Sequence, residues 1–417
     1  MQYDLCVIGA GWAGFNAALY ASRLGKKVCL VEDKQVGGTC LNRGCIPTKA
    51  WVAYSQENLP FAEFKNKTSQ VIERLRKGIE QSLESQHIDY VVGKARIEKH
   101  NSVRINENTS FKAKFILIAT GSVPCDLANL KFDHQKINST DDVLEWKELP
   151  KRLLIIGGGV IGCEFAGIFR RSGVEVTIFE IMSQLLPGLD PQVAKKLHQA
   201  FQKAGIGVEL EKKSEEVDRS PFDKILLAVG RKPLTEGLWE EGIGIKREKE
   251  AIVVDKWLRT SVSNIFAAGD CIGGSMLAHV ASYEGELAVS NMFSRPQNKD
   301  YSVVPVSIFT TPGIGAVGMS EEEVQRSGIK YRISTVSFLS IGMAHIVDKT
   351  QGFAKVIVDT KSGRILGAAI IGLEATELVN VFSILIKNNI TVKDLKKTIF
   401  AHPSVSEIIA ELVKTLG

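Results

Sequence analysis

Cys40 and Cys45 stand five residues apart around Gly44, in the segment Gly37-Gly38-Thr39-Cys40-Leu41-Asn42-Arg43-Gly44-Cys45-Ile46-Pro47-Thr48-Lys49. The spacing is short enough to close a small ring, and three chemistries compete for it. A zinc site needs about four ligands, and no second cysteine or histidine pair stands at ligand spacing in this chain. A structural disulfide this local would constrain little chain and would be reduced in a cytosolic setting. A redox-active dithiol fits a reducing compartment and needs an electron acceptor beside it.

Two glycine-rich turns offer places for such an acceptor. Leu5-Cys6-Val7-Ile8 reads as a strand entering Gly9-Ala10-Gly11-Trp12-Ala13-Gly14, and an alanine-rich helical pattern follows to Leu24. Gly25 stops that helix, and 27–31 reads as a second strand ending at Glu32, 18 residues past Gly14. Gly9 suits a tight turn, Gly11 a close backbone approach to a pyrophosphate, and Gly14 close packing of helix on strand. The helix N-terminus offers N–H groups and dipole to phosphates, and Glu32 can accept from ribose hydroxyls. The unit recurs: a strand at 152–156, Gly157-Gly158-Gly159-Val160-Ile161-Gly162, a helix to about Arg171, and a strand ending at Glu180. Two dinucleotide sites in one chain are most simply a flavin held permanently and a nicotinamide that exchanges. Glu180 accepts from a free 2′-hydroxyl and repels a 2′-phosphate, which favours NAD over NADP.

The segment from Gly37 to Lys49 closely resembles the active-site segment of the flavin-dependent pyridine nucleotide–disulfide oxidoreductases. That group contains dihydrolipoamide dehydrogenase, glutathione reductase and mercuric reductase. Leu117-Ile118-Ala119-Thr120-Gly121-Ser122-Val123-Pro124 is similar to the motif closing the family's first FAD segment, and Leu226-Leu227-Ala228-Val229-Gly230-Arg231-Lys232-Pro233 to the motif ending its NAD domain. Ala267-Ala268-Gly269-Asp270 resembles the second FAD motif, whose Asp holds the ribityl chain.

The resemblance implies FAD and NAD as cofactors, with Gly38, Thr39, Lys49, Thr120, Gly121 and Asp270 joining Gly9, Gly11, Gly14 and Glu32 at the flavin. Gly157, Gly159, Gly162, Glu180 and Gly230 fall to the nicotinamide side. It implies that Cys40 is the interchange thiol and that Cys45 faces the flavin. It further implies an ion pair of Lys49 with Glu164 near the flavin's reactive nitrogen, where a cation would stabilise the reduced, anionic ring.

Ala401-His402-Pro403-Ser404-Val405-Ser406-Glu407 looks like the family's His-Pro segment. An imidazole oriented by a carboxylate supplies the proton acceptor that thiol–disulfide exchange needs. In the family this His comes from the second subunit, which implies a homodimer.

Within the family, Met276-Leu277-Ala278-His279-Val280-Ala281-Ser282-Tyr283-Glu284-Gly285 most resembles the dihydrolipoamide dehydrogenase version of its helix. Val160 stands where glutathione reductases resemble one another in having Tyr, and the C-terminus lacks the cysteine pair of mercuric reductase. These features imply oxidation of a protein-borne dihydrolipoyl group, with the lipoyl domain of an acyltransferase or a glycine cleavage carrier protein as partner. An NADPH-dependent, glutathione reductase-like enzyme and a flavin-bearing binding subunit with little turnover are the alternatives.

These motifs need an α/β fold. The expected arrangement is two Rossmann-like dinucleotide-binding domains, for FAD and NAD, and a C-terminal α+β dimerisation domain. The boundaries read as 1–148 for the first FAD segment, 149–258 for the NAD domain, 259–300 for the returning FAD segment and 301–417 for dimerisation. Only 211–223 separates two candidate strands where the family usually has a meander, so the NAD domain reads as shortened. The helical spacing between Phe64 and Ser85 predicts an amphipathic, largely solvated helix.

Composition agrees with a globular protein: 417 residues, 44% apolar, 24% charged and a net charge of +5. No like-charge run suggests nucleic acid, and no apolar run reaches the roughly 20 residues that a bilayer requires. Seven cysteines over a long chain, with a strand beginning near Met1, predict a cytoplasmic location in a bacterium, or else an organelle matrix. The five cysteines outside the pair, Cys6, Cys29, Cys125, Cys163 and Cys271, read as small buried residues or bystanders. No metal is expected.

Overall fold

The computed structural model describes residues 2–57, 59–106 and 109–416. β1 (Gln2–Ile8) is buried on both faces over most of its length, as a central parallel strand must be. It turns at Gly9 into α1 (Trp12–Arg23), and β2 (Val28–Glu32) returns parallel beside it. α2 (Gly38–Arg43) and α3 (Cys45–Gln56) carry the cysteine segment. α4 (Phe61–Ser85) then buries Phe64, Thr68, Ile79 and Leu83 and leaves the rest of its surface largely in water. β3 (Asp89–Val92), β4 (Ala95–Lys99), β5 (Ser102–Ile105) and β6 (Thr109–Ile118) complete the spatial order β3-β2-β1-β6-β5-β4, with β6 parallel to β1. β7 (Ser122–Pro124) leads away from this sheet.

The second sheet takes its edge strand, β8 (Ile137–Asn138), and the short α5 (Thr140–Val143) from residues ahead of position 149, where the sequence reading begins the NAD domain. The reason is pairing: Ile137 and Asn138 lie in parallel register with Ile225 and Leu226. β9 (Arg152–Ile156), α6 (Val160–Arg171), β10 (Glu175–Phe179), α7 (Pro191–Lys203), β11 (Gly207–Glu209) and β12 (Lys224–Leu227) follow. The result is an all-parallel sheet in the order β11-β10-β9-β12-β8. One 3-10 turn at Ser214–Glu216, and no strand, separates β11 from β12, so the shortened connection is visible in the fold.

β13 (Arg231–Pro233) pairs antiparallel with β7, and β14 (Arg247–Glu248) forms a hairpin with β15 (Ala251–Ile252). β16 (Ile265–Ala267) then re-enters the first sheet beside β6. α8 (Ala278–Phe293) crosses α1 so closely that a Cβ on Gly285 would sit 2.2 Å from the Ala13 carbonyl oxygen.

The C-terminal module comprises β17 (Val306–Ile308), β18 (Gly313–Gly318), α9 (Glu321–Ser327), β19 (Tyr331–Ser337), α10 (Gly342–Ile346), β20 (Phe353–Asp359) and β21 (Ile365–Gly372). Helices α11 (Ala375–Lys387), α12 (Val392–Leu395) and α13 (Glu407–Lys414) close the chain. The strands form an antiparallel sheet in the order β17-β18-β21-β20-β19, and Leu378, Val379, Phe382, Ile408, Ile409 and Leu412 supply buried apolar side chains to its core. Lys355, 3% exposed, joins this module to the second sheet's domain through Asp190 at 2.8 Å and caps the arrangement with Glu321 at 2.7 Å.

Candidate active site

Cys40 lies in α2, and Cys45 is the first residue of α3, with Gly44 as the break between the two helices. Both carry free thiols that share a hydrogen bond. Their environments push them apart. Cys45 is lowered to about 7, first by the hydrogen bond from Cys40 and then, against the cost of burial, by the nearby Lys49 ammonium. Its place at a helix N-terminus acts in the same direction. Cys40 is raised by donating its proton to Cys45, and burial adds to the effect. One thiol is therefore poised as a thiolate while its neighbour keeps a proton, the division of labour that a dithiol needs for exchange on one side and electron transfer on the other.

Lys49, one helical turn beyond Cys45, places Nζ 2.7 Å from Glu164 Oε2. Glu164 is buried on α6, and its other oxygen accepts the backbone N–H of Phe309 at 2.9 Å. The Phe309 ring lies 5.1 Å from Lys49 Nζ. Residues from all three units thus meet beside the cysteines.

The glycine turns separate into two kinds. A Cβ on Gly9 or Gly14 would lie 2.3 Å from Ala119 O or 1.8 Å from Gly9 O, and Gly157 and Gly162 repeat those clashes with Ala228 O and Gly157 O. The fold itself demands these four glycines. A Cβ on Gly11 would meet nothing nearer than Gly38 Cα at 3.9 Å, and one on Gly159 would meet nothing within 4 Å. Both head helices, α1 and α6, whose first turns have no side-chain cap. Open space in front of unpaired N–H groups is the cradle that a pyrophosphate fills, so these residues fit dinucleotides.

Glu32 ends β2 and Glu180 directly follows β10, and each also braces its own turn. Glu32 accepts from Ala10 N at 2.8 Å and Lys34 N at 3.0 Å, and Glu180 from Gly158 N at 2.6 Å and Met182 N at 2.8 Å. Gly38 and Thr39 open α2 against the first turn, where a Cβ on Gly38 would come within 2.7 Å of Gly11 Cα. Thr120 donates its hydroxyl to Leu234 O at 2.6 Å; Gly121 and Gly230, both at positive φ, lie in the crossing between the first two units.

His402 lies apart from this group. Its Nδ1 is 2.9 Å from Glu407 Oε1, the imidazole is 78% exposed, and Glu407 also accepts the Ser404 N–H at 2.9 Å. That amide bond, followed by the bond to His402, holds the Glu407 carboxyl below its usual range. The imidazole is held by the Glu407 carboxylate and faces outward.

Several residues escaped the sequence reading. Ser122 donates to Asp270 Oδ2 at 2.6 Å, and Arg231 holds Ser122 through its hydroxyl and its carbonyl, both at 2.8 Å. Trp12 stacks edge-on against Phe15 at 6.3 Å, and its side chain also hydrogen-bonds Cys40. No spacing rule links residues so far apart in sequence. Cys6, Cys29, Cys163 and Cys271 are fully buried and Cys125 half-buried. Among the described residues, no group of three or more His, Cys, Asp or Glu could hold a metal, and no helix is long and apolar enough to cross a membrane.

The profile of the pyridine nucleotide-disulphide oxidoreductases matches residues 3–285, and that of their dimerisation domain matches 304–413. The chain belongs to this family. The oxidoreductase is 35% identical to a dihydrolipoyl dehydrogenase of Geobacillus stearothermophilus, over 99% of this chain and 95% of that one. It is 34% identical to one from Bacillus subtilis, over 99% and 96%. Among solved structures, the HOCl-induced flavoprotein disulfide reductase RclA of Escherichia coli superposes with a TM-score of 0.94 at 31% identity, covering all of both chains.

Proposed function

We propose that the oxidoreductase transfers two electrons from a protein-borne dihydrolipoyl group to NAD+, through the Cys40/Cys45 pair and FAD, as the dehydrogenase component of a 2-oxo acid dehydrogenase or glycine cleavage complex. The observation that carries the reading is the asymmetry of the pair: a thiolate-prone Cys45 beside the Lys49–Glu164 ion pair, and a proton-bearing Cys40 next to it.

In the oxidised enzyme Cys40 and Cys45 form a disulfide. One substrate thiolate attacks the Cys40 sulfur, a mixed disulfide forms and Cys45 leaves as a thiolate, stabilised by Lys49 and the start of α3. The second substrate thiol then displaces Cys40, releasing the lipoyl disulfide. His402, oriented by Glu407, takes the proton of the first substrate thiol, and Cys40 leaves with that of the second. Because His402 faces outward from its own chain, this role falls to it across a homodimer, in keeping with the dimerisation profile. Bound FAD would supply the two-electron relay between the sulfurs and NAD+. Gly11, Glu32, Thr120 and Asp270 would hold it, while Gly159, Glu180 and Gly230 would hold the nicotinamide dinucleotide. The Glu180 carboxylate disfavours a 2′-phosphate on that dinucleotide. A bacterial cytoplasm suits this chemistry.

The likeness to a flavoprotein disulfide reductase at a TM-score of 0.94 supports a second reading, reduction of another disulfide at the expense of NADPH. Steady-state rates of the purified protein with dihydrolipoamide and NAD+, against glutathione disulfide and NADPH, decide between them. Turnover confined to the first pair supports the lipoyl reading. Turnover confined to the second overturns it, and absence of both with bound flavin leaves a binding subunit.

A further inference from the structure

Glu284 is a buried carboxylate on α8 with two short hydrogen bonds. Its Oε2 accepts the backbone N–H of Gly269 at 2.6 Å, and its Oε1 accepts the Tyr301 hydroxyl at 2.6 Å. Gly269 sits at φ +78° immediately before Asp270, so Glu284 grips the turn that presents the Asp270 carboxylate. Ser122, itself held by Arg231, donates to that carboxylate. α8 is itself fixed on the phosphate-facing helix α1, by the Gly285–Ala13 approach and by Asn16 Nδ2 donating to Ser282 Oγ at 3.1 Å.

The other end of the link lies in the C-terminal module. Asp300 N donates to Tyr283 OH at 2.9 Å, and Lys387 Nζ on α11 reaches Asp300 Oδ2 at 2.6 Å. Tyr301 also packs edge-on against Tyr283, with ring centroids 6.4 Å apart. A continuous set of contacts therefore runs from α11 through residues 300 and 301 to Glu284 and the Gly269–Asp270 turn. A buried ionisable group costs free energy unless its partners compensate for it, and the partners of this one are a backbone N–H in the flavin motif and the Tyr301 hydroxyl.

We infer that Glu284 is a positioning residue for flavin retention, setting the Asp270 turn, and that Tyr301 couples this setting to the C-terminal module. The inference rests on the flavin reading above. Among the described residues Glu284 has no hydrogen bond to Cys40, Cys45 or the second glycine turn, so its loss acts on FAD affinity and spares the nicotinamide site.

The test compares wild-type, Glu284→Ala, Glu284→Gln and Tyr301→Phe proteins, each stripped of flavin and titrated with FAD while flavin fluorescence is followed. NAD+ affinity is measured in parallel. A lost hydrogen bond between a charged group and a buried N–H predicts FAD binding weakened roughly 10- to 100-fold in Glu284→Ala. Glu284→Gln keeps an oxygen acceptor for Gly269 and recovers most of the affinity. Tyr301→Phe weakens FAD binding about 3- to 10-fold, and NAD+ affinity stays unchanged throughout. FAD affinity at the wild-type level in Glu284→Ala, or an equal loss of NAD+ affinity, overturns the inference. If Glu284→Ala does not fold, an unchanged FAD affinity in Tyr301→Phe overturns it. A wild-type apoprotein that takes up no FAD instead removes the flavin reading itself.

Discussion

Lys49 Nζ and Glu164 Oε2 lie 2.7 Å apart, 115 residues distant in sequence, with Glu164's second oxygen on the Phe309 N–H. Glu164 is 2% exposed and Lys49 29%, so the carboxylate bears most of the desolvation, and among the described residues Lys49 is the one cation paired with it.

Replacing Lys49 with Met strands that carboxylate. Breaking a buried pair on one side costs about 3 kcal/mol, toward the lower end of the range here because the lysine is partly in water. The midpoint of denaturant unfolding is expected to fall accordingly, and Lys49→Arg to restore most of it. An unchanged midpoint in Lys49→Met would mean the pair contributes nothing.

The cysteine pair predicts a pH profile. Cys45 is lowered to about 7, so in the reduced, flavin-free protein its thiolate dominates above that pH and its proton returns below it. Iodoacetamide labelling of Cys45, read by peptide mapping, should slow about tenfold per pH unit below the midpoint. Cys40→Ala removes the hydrogen bond that contributes most, and the midpoint should move up toward that of an ordinary thiol. A midpoint fixed in both proteins would contradict the assigned cause.

The outward-facing His402 predicts complementation between subunits. Cys45→Ser and His402→Gln homodimers should each lose lipoamide turnover, the first by roughly 10³-fold or more and the second by about 10²- to 10⁴-fold. Refolded together, they should regain about a quarter of wild-type turnover, since half the random dimers are mixed and each has one intact site. A mixture as inactive as its parents would place the base in the same chain as its cysteines.

Glu180→Ala should raise KM for NADH and, by removing the repulsion of a 2′-phosphate, narrow the preference for NADH over NADPH. The carboxylate accepts from Gly158 N and Met182 N, and each N–H left unpaired costs about 1–3 kcal/mol. Steady-state kinetics with NADH and NADPH check this. A clean gain of NADPH use, with KM for NADH unchanged, would show that the acid acts on the ribose alone.

What the sequence makes legible is what local spacing encodes. The two strand–glycine–helix units, the acids 18 residues beyond them and the amphipathic helix that proves to be α4 all follow from periods within one segment. The Lys49–Glu164 pair came through resemblance, and the geometry brings the two side chains together. The bond from Ser122 to Asp270 spans 148 residues, and no local pattern announces it. β8 is hidden for a different reason: two residues are too few to carry an alternation, and only their pairing with β12 gives them their place. The bracing of each turn by its own acid is equally silent, because the same carboxylate satisfies the ribose motif whether or not it bonds backbone.

The contact between Gly11 and Gly38 has a mechanical consequence. With no side chain on either residue, the helix bearing Cys40 rests main chain to main chain on the threshold of α1. The tightness is one-sided: a methyl on Gly38 would reach within 2.7 Å of Gly11 Cα, so the helix bearing Cys40 keeps its seat against the head of α1 only while position 38 carries no side chain.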